Sequence, residues 1–445
     1  MIRIIKKKIH NLTSDKKFSE IFTGSVWALS ARLISTALGL SFSIIVARFY
    51  GAEMVGIIAV INSFLMLVTI FTVLGTPTSI LRLVPEHLAK YSPTSAFKVY
   101  RKTQYLVIAA SIVSAIVFFF GANLIADKVF SKPYLAYYFS LASVFMIFKS
   151  MMMLNTSAVR GLRLIKLFAV MQFLPQTFNL LFLIIIGLIW PSRDIPVYAI
   201  MFGFVMTGII GWFIMEIAFK KMMTPGDTVH ALSSPRILSV SLPMLMTATM
   251  MFFISQTGVL MLGMFRTEAE VGYYSIAVKL ANLTTFVLQA VNSMAAPKFS
   301  ELFYTDKMNE LFYVAKKSSK LIFATTTPIM FCFLIFGKPI LNMLYGHNFT
   351  VAYLALILLV IGQFVNSISG ATGMFMNMTG NQKVLRNIMS VAAVINIGLN
   401  LLLIPRLGIN GSAISAMISL SFWNIAILVY IKIKFGRTTG YFPFL

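Results

Sequence analysis

Twelve long apolar runs separated by short polar connections decide what this chain can fold into. A helix that crosses bilayer hydrocarbon needs about 20 mostly apolar residues. The runs near 24–47, 55–82, 104–126, 136–159, 167–190, 196–219, 237–264, 271–296, 321–344, 351–378, 387–405 and 409–432 all approach or exceed that length. Little of the 445-residue chain lies outside them. Composition agrees: 58% of residues are hydrophobic and 11% charged, against about 25% charged in a soluble domain. A soluble enzyme, a disordered protein and a secreted disulfide scaffold are excluded. The single Cys332 falls inside a run, so there is no disulfide framework. His10, His87, His230 and His347 lie in separate connections, and we expect no metal and no cofactor. The expected fold is an all-α polytopic membrane protein.

The net charge of +24 would suit a nucleic-acid partner, but the placement of the cations explains it better. Most of the 37 Lys and Arg residues fall on alternate connections. These are the N-terminal segment, PEHLAKYSPTSAFKVYRK, RGLRLIK, KKMMTPGDTVHALSSPR, the stretch from Pro297 to Lys320, GNQKVLR and the tail KIKFGR. The other side holds only Arg48, Lys128, Lys132, Arg193, Arg266, Lys338 and Arg406. Cytoplasmic loops carry the excess of Lys and Arg, which puts both termini in the cytoplasm, and an even number of spans requires the same. The first run is longer than a signal-peptide core of about 7–15 residues and ends without a small-residue cleavage pattern. The start MIRIIKKKIH either rests on the cytoplasmic membrane surface or is a disordered basic tail. No outward connection reaches about 15 residues, too little to build a separate outer domain.

The chain repeats itself. At an offset of 216 residues, RFYGAEMVGI (48–57) falls on MFRTEAEVGY (264–273), with Val55-Gly56 on Val271-Gly272. At 221, FNLLFLIIIGL (178–188) falls on LNLLLIPRLGI (399–409), with Asn179 on Asn400 and Gly187 on Gly408. The reading is a basic segment 1–23, an N-lobe 24–223 of six helices, a cytoplasmic linker 224–236, a C-lobe 237–432 of six helices, and a tail 433–445. Repeats in parallel orientation build transporters whose halves rock around a central site.

Polar residues inside the runs mark candidate sites. In the eighth run Ser275, Lys279, Asn282, Thr285, Gln289 and Asn292 step by three or four, the spacing of one helical face. Gln363, Asn366, Gly370, Gly373 and Asn377 do the same in the tenth, and Ser25, Ala28, Arg32, Ser35, Gly39 and Ser43 in the first. Such faces point at protein or water rather than lipid. The amides Asn282, Gln289, Asn292, Gln363, Asn366 and Asn377 either line a cavity or glue helices together.

Arg32, Lys149 and Lys279 lie deep in runs, and no Asp or Glu lies comparably deep. A cation at mid-membrane costs roughly 2.5–3.5 kcal/mol on insertion scales. A wet cavity or an anionic ligand removes the difficulty. Snorkelling to an interface is the other escape, open to Arg32 and Lys279 and least to Lys149. A positively charged cavity suits a phosphate or diphosphate, and amide rows suit sugar hydroxyls.

The segment NIGLNLLLIPRLGINGSAIS (396–415) resembles the C-terminal signature of polysaccharide-export flippases, through Asn396, Asn400, Pro405, Gly408 and Gly411. LYGHNFTVAYLALILLV (344–360), GNQKVLRN (380–387) and the stretch 24–56 resemble the same family. It is part of the multidrug/oligosaccharidyl-lipid/polysaccharide (MOP) exporter superfamily. The resemblance implies two six-helix lobes around a V-shaped cavity that opens alternately to each side. The nearest branch is that of the Wzx-type flippases for O-antigen, capsule or exopolysaccharide units. Related lipid II flippases carry an Arg in the first helix, which Arg32 resembles; they commonly add two C-terminal helices, for which no run follows 432.

The expectation is therefore a flippase, not an enzyme, in the bacterial cytoplasmic membrane. Its partner is a polyprenyl-diphosphate-linked oligosaccharide, with membrane lipids and other polysaccharide-assembly proteins around it and no nucleic acid. Arg32, Lys149 and Lys279 are expected to hold the diphosphate, and the six amides to contact sugar. The rival readings are a multidrug-type antiporter, a membrane glycan polymerase or ligase, and a non-transporting scaffold. The lack of deep carboxylates opposes the first two, and the buried cations oppose the third.

Overall fold

The computed structural model describes residues 16–223 and 232–441; the basic start up to Asp15, most of the linker and residues 442–445 of the tail lie outside the described residues. The chain is helical, with no strand among the described residues. Thirteen α-helices follow one another: α1 Lys16–Val73, α2 Thr76–Lys90, α3 Pro93–Leu124, α4 Leu135–Gly161, α5 Ile165–Ile189, α6 Ile195–Met222, α7 Ser234–Phe265, α8 Glu268–Leu283, α9 Phe286–Tyr304, α10 Met308–Tyr345, α11 Tyr353–Ser369, α12 Thr372–Met378 and α13 Gln382–Phe435. A π-turn extends α3 over Ile125–Val129, and a 3-10 turn, His347–Ala352, precedes α11. Among the described residues nine helices are long and apolar enough to cross a membrane, or ten with α8 and the start of α9 taken as one bent span. The protein is a multi-pass membrane protein.

The two longest helices each contain a sharp bend where the sequence places a connection. Gly51 has φ 79° inside α1, and Gly408 has φ 55° inside α13. A residue with a Cβ rarely holds such angles, so glycine lets the chain reverse with almost no loop. Elsewhere the structure divides runs that periodicity alone reads as single helices. Run 55–82 breaks at Leu74 and Gly75, both at positive φ, and continues as α2. Run 351–378 breaks at Gly370. Run 271–296 bends by 50° at Thr284–Thr285. Apolar periodicity reports which side of a helix is greasy, not whether its axis is straight.

The buried core shows how the halves are joined. One cluster draws on both: Met54, Val55 and Ile58 from the first half pack with Val259, Leu262, Val271 and Ala277 from the second. This joint core sits at the cation-poor end. Toward the basic end it is replaced by two separate cores. One holds Ile80, Val84, Val99, Leu154 and Phe219, with Ile237 of α7, and the other Phe299, Leu311, Phe375 and Ile431. The halves still touch toward the basic end, where α7 contributes Ile237 to the first of these cores and Ser241 Oγ lies 2.6 Å from Ser79 Oγ.

The joint end is tight because small residues meet there. A Cβ on Gly56 would lie 1.8 Å from the Glu268 carbonyl oxygen, and one on Gly272 would lie 2.1 Å from that of Ala52. These two glycines are the pair that the 216-residue offset superimposes. Lipid tails give no hydrophobic drive to helix association, so backbone contact through glycine is the available source of packing energy.

Candidate functional site

A cavity of about 560 Å³ lies between the halves, at the point where the joint core gives way. Its walls come from α1, α4, α5, α6 and α8. A recess of about 240 Å³ adjoins it, sharing Phe42, Ile58, Asn62, Lys279 and Asn282 and reaching α7. Both Lys149 and Lys279 line the larger cavity, one from each half.

Local structure explains both placements. The capping box of Thr267 and Glu270 fixes where α8 begins. Val271, Tyr274, Ala277 and Ala281 then bury one face of α8, while Lys279 and Asn282, three residues apart, share the exposed face that borders the cavity. On α4, Met146, Ser150 and Leu154 are buried, and Lys149 and Met152 turn to the cavity. The Lys149 Nζ lies 5.1 Å from the centre of the Phe204 ring, a cation–π contact worth roughly 0.5–2 kcal/mol. Among the described residues neither lysine has an ion-pair or hydrogen-bond partner, and no carboxylate lines the cavity or the recess.

The other residues expected at the site are distributed differently. Arg32 sits on an exposed stretch of α1 beside Trp27, Leu29, Leu33 and Ile34, and is not among the lining residues. Asn282 lines both spaces, and its Oδ1 accepts a hydrogen bond from Gln363 Nε2 at 3.0 Å. The Gln363 Oε1 in turn accepts from Asn366 Nδ2 at 3.3 Å. Gln363 and Asn366 therefore back the wall rather than form it. Gln289 lies beyond the 50° bend and donates to Thr285 Oγ1 at 3.0 Å. Asn292, further along α9, has an enclosed Oδ1 with no partner among the described residues. Asn377 is on α12, where its carbonyl accepts from Gln382 Nε2 at 2.8 Å. The shared face expected of Lys279, Asn282, Gln289 and Asn292 assumed one straight helix, and the bend separates the first two from the last two.

Four lining amides escaped the periodicity argument: Asn62, Gln176, Asn179 and Gln256. Asn62 and Gln256 belong to no stepped row, whereas Gln176 and Asn179 continue from Gln172 at steps of four and three, one face of α5. The available signal was the presence of any amide at such a depth. Gln256 is held across the halves, accepting from Ser63 Oγ at 2.8 Å. The Asn396–Asn400 pair is instead internal glue: Asn400 Nδ2 donates to Asn396 Oδ1 at 3.0 Å, and Asn396 Nδ2 donates to Ser419 Oγ at 2.8 Å, all buried.

The cation-poor end is latched by polar contacts between halves. Lys132 pairs with Glu268 at 2.7 Å and also donates to the Arg266 carbonyl at 2.6 Å. Tyr134 donates to the same Glu268. Arg48 Nε donates to the Leu344 carbonyl at 2.9 Å, and Ser43 and Tyr345 share a hydrogen bond of 3.2 Å.

Known proteins match this architecture. The chain is 26% identical over 168 residues to a protein of Haloferax volcanii named as the probable low-salt glycan biosynthesis flippase Agl15, covering 38% of this chain and 36% of that one. The chain spans about a third of the length of the curated relatives it matches, 36% and 30% for two of them. In three dimensions it resembles the lipid II flippase MurJ in an inward closed conformation, with TM-score 0.71, 16% identity, 90% of this chain and 86% of that chain covered. It also resembles an inward-facing multidrug resistance MATE transporter of the MOP superfamily, with TM-score 0.74, 14% identity and coverage of 92% and 98%. At such identities the likeness establishes the fold, a MATE- and MurJ-like helical architecture. Residues 45–354, well over half of the chain, match the family described as Polysaccharide biosynthesis protein, and the chain belongs to that family.

Proposed function

We propose that this protein is a flippase that carries a polyprenyl-diphosphate-linked oligosaccharide from the inner to the outer leaflet of the cytoplasmic membrane. An O-antigen, capsule or exopolysaccharide repeat unit is the cargo envisaged. Twelve spans in two six-helix lobes, with both termini in the cytoplasm, form the carrier. The observation that carries this reading is the pair of lysines, one from each half, that share one cavity and have no ion-pair or hydrogen-bond partner among the described residues. An ammonium there needs water or an anion, and a lipid-linked diphosphate brings an anion to that depth. The curated relative's name, a probable glycan biosynthesis flippase, agrees. An exporter of small cations would need carboxylates, and none of the described ones lines the cavity.

In the mechanism we envisage, the sugar and diphosphate enter from the basic end while the lipid tail stays in the bilayer. Lys149 and Lys279 take the phosphate charge. Parting of the Gly56–Gly272 contact and of the Lys132–Glu268 latch then opens the cavity to the other side, the two-state rocking expected of parallel repeats. The head group cannot cross hydrocarbon unaided at useful rates.

The test is sidedness. In cells lacking the protein, a lipid-linked oligosaccharide should accumulate where an external glycosidase cannot reach it, and restoring the wild-type gene should expose it. Normal outward exposure without the protein refutes the proposal.

A further inference from the structure

We infer that residues 436–441 form a strap that holds run 351–378 bent, by supplying a hydrogen bond that the straight helix would make within itself. The inference does not depend on the cargo and concerns how the second half changes shape. The run is interrupted at Gly370, whose φ of 78° and ψ of −156° suit glycine alone. In an unbroken helix the Ile368 carbonyl would accept from the amide of Thr372, four residues on. In the structure Thr372 instead opens α12, and the Ile368 carbonyl accepts from the Tyr441 amide at 3.3 Å. One acceptor thus has two donors that exclude each other, the helix's own and the strap's.

The strap is anchored along its length. Gly436, at φ 69°, ends α13 and turns the chain back. Arg437 donates to Asn309 Oδ1 at 2.5 Å, and its guanidinium lies 6.0 Å from the centre of the Phe312 ring. Thr439 is 2% exposed, and its carbonyl accepts from Ser319 Oγ of α10 at 2.7 Å. The Tyr441 ring lies 5.5 Å from that of Phe323 and 5.7 Å from the Lys320 ammonium. Ser319 also joins the strap to the break, because a Cβ on Gly370 would lie 1.9 Å from its Oγ.

The bend reaches beyond its own end of the molecule. Gln363, five residues before Ile368 on α11, donates to Asn282, which lines the cavity. A change in the course of α11 therefore reaches the cavity wall through one hydrogen bond. Straightening requires Gly370 to take up helical angles and the Ile368 carbonyl to exchange the Tyr441 amide for that of Thr372. A helix whose bend is held by a displaceable donor has two arrangements, and the strap sets the balance between them.

The test uses the full-length protein in lipid nanodiscs, with Cys332 replaced by Ser and spin labels at Ile361 on α11 and Lys383 just beyond α12, both exposed. Wild type should give one main distance. Tyr441→Pro removes the strap's N–H, and Ser319→Ala removes the donor to Thr439. Each should raise the share of a second, longer distance about fivefold, the shift expected from one hydrogen bond of ordinary strength. Tyr441→Ala keeps the N–H and should move the distribution less than Tyr441→Pro. Gly370→Ala disfavours the bent angles directly and should give the longer distance with the strap sequence untouched. Thermal transitions establish which variants are folded; if Tyr441→Pro is not, Ser319→Ala carries the test. Wild-type distances in the folded strap variants overturn the inference. Equal shifts in Tyr441→Ala and Tyr441→Pro overturn the role given to the amide. A folded Gly370→Ala protein with the wild-type distance shows that the run does not straighten, which overturns the inference as well.

Discussion

Gly272→Ala should shift the protein away from the conformation described above. The added Cβ would fall 2.1 Å from the Ala52 carbonyl oxygen and 3.0 Å from its carbon. Both are backbone atoms and cannot swing aside as a side chain would, so the two helices must separate by roughly an ångström. Overpacking of this kind costs about 1–3 kcal/mol. The contact exists only while the halves are closed at this end, so the cost falls on that state alone and leaves an opened state untouched. Every 1.4 kcal/mol is about a tenfold change in an equilibrium constant, so the closed-to-open ratio should fall by about 5- to 150-fold. The assay is a distance measurement between spin labels at Phe49 and Met343, both highly exposed at this end. These labels straddle the Arg48 contact to the Leu344 carbonyl. Cys332, the one native cysteine, is first replaced by Ser. Wild type should give one short distance, and Gly272→Ala should add a longer population. A folded Gly272→Ala protein with an unchanged distance distribution would refute the claim that this glycine contact holds the cation-poor end shut.

Further outcomes follow from the same geometry. Lys149→Gln should abolish oligosaccharide flipping at normal protein levels, while Arg32→Gln, on the exposed stretch of α1, should weaken pyrophosphate binding far less; parallel titrations of the two variants compare them. Lys132→Ala and Glu268→Gln should each loosen the latch, and the double variant should be no worse than either alone, with a coupling of about 1 kcal/mol for a partly buried pair, read from the same spin-label distances. Asn396→Leu should leave Asn400 and Ser419 without their partner and cost about 1–2 kcal/mol of stability. A lowered thermal transition with unchanged pyrophosphate affinity is expected, and lost affinity in a folded protein would mean that the pair contributes to the cavity.

Legibility differed between fold and site. The apolar runs needed no tertiary information, because a segment with no polar backbone partner in hydrocarbon must satisfy its own hydrogen bonds as a helix. Two of the breaks were equally plain, since Gly51 and Gly408 fall inside the polar connections. Lys149 and Lys279 stood out because a charge in an apolar run is conspicuous. The six amides were harder. Helical spacing puts Asn282 and Gln289 on one face only while the helix continues, and nothing in the letters around Thr284 and Thr285 announces a 50° bend.

What the sequence by itself determined is therefore the apolar, helical character of the runs, the charge asymmetry and the two cations set deep in them. These follow from local chemistry, the fit of each short stretch to lipid or water. Only the tertiary structure decided that Lys149 and Lys279 share one cavity, that Arg32 lies off it, that Gln363 and Asn366 stand behind Asn282, and that Gly56 meets Gly272. Such relations join residues more than a hundred positions apart. They depend on helix bends and close backbone approaches that set the relative placement of the halves, and no local pattern encodes them.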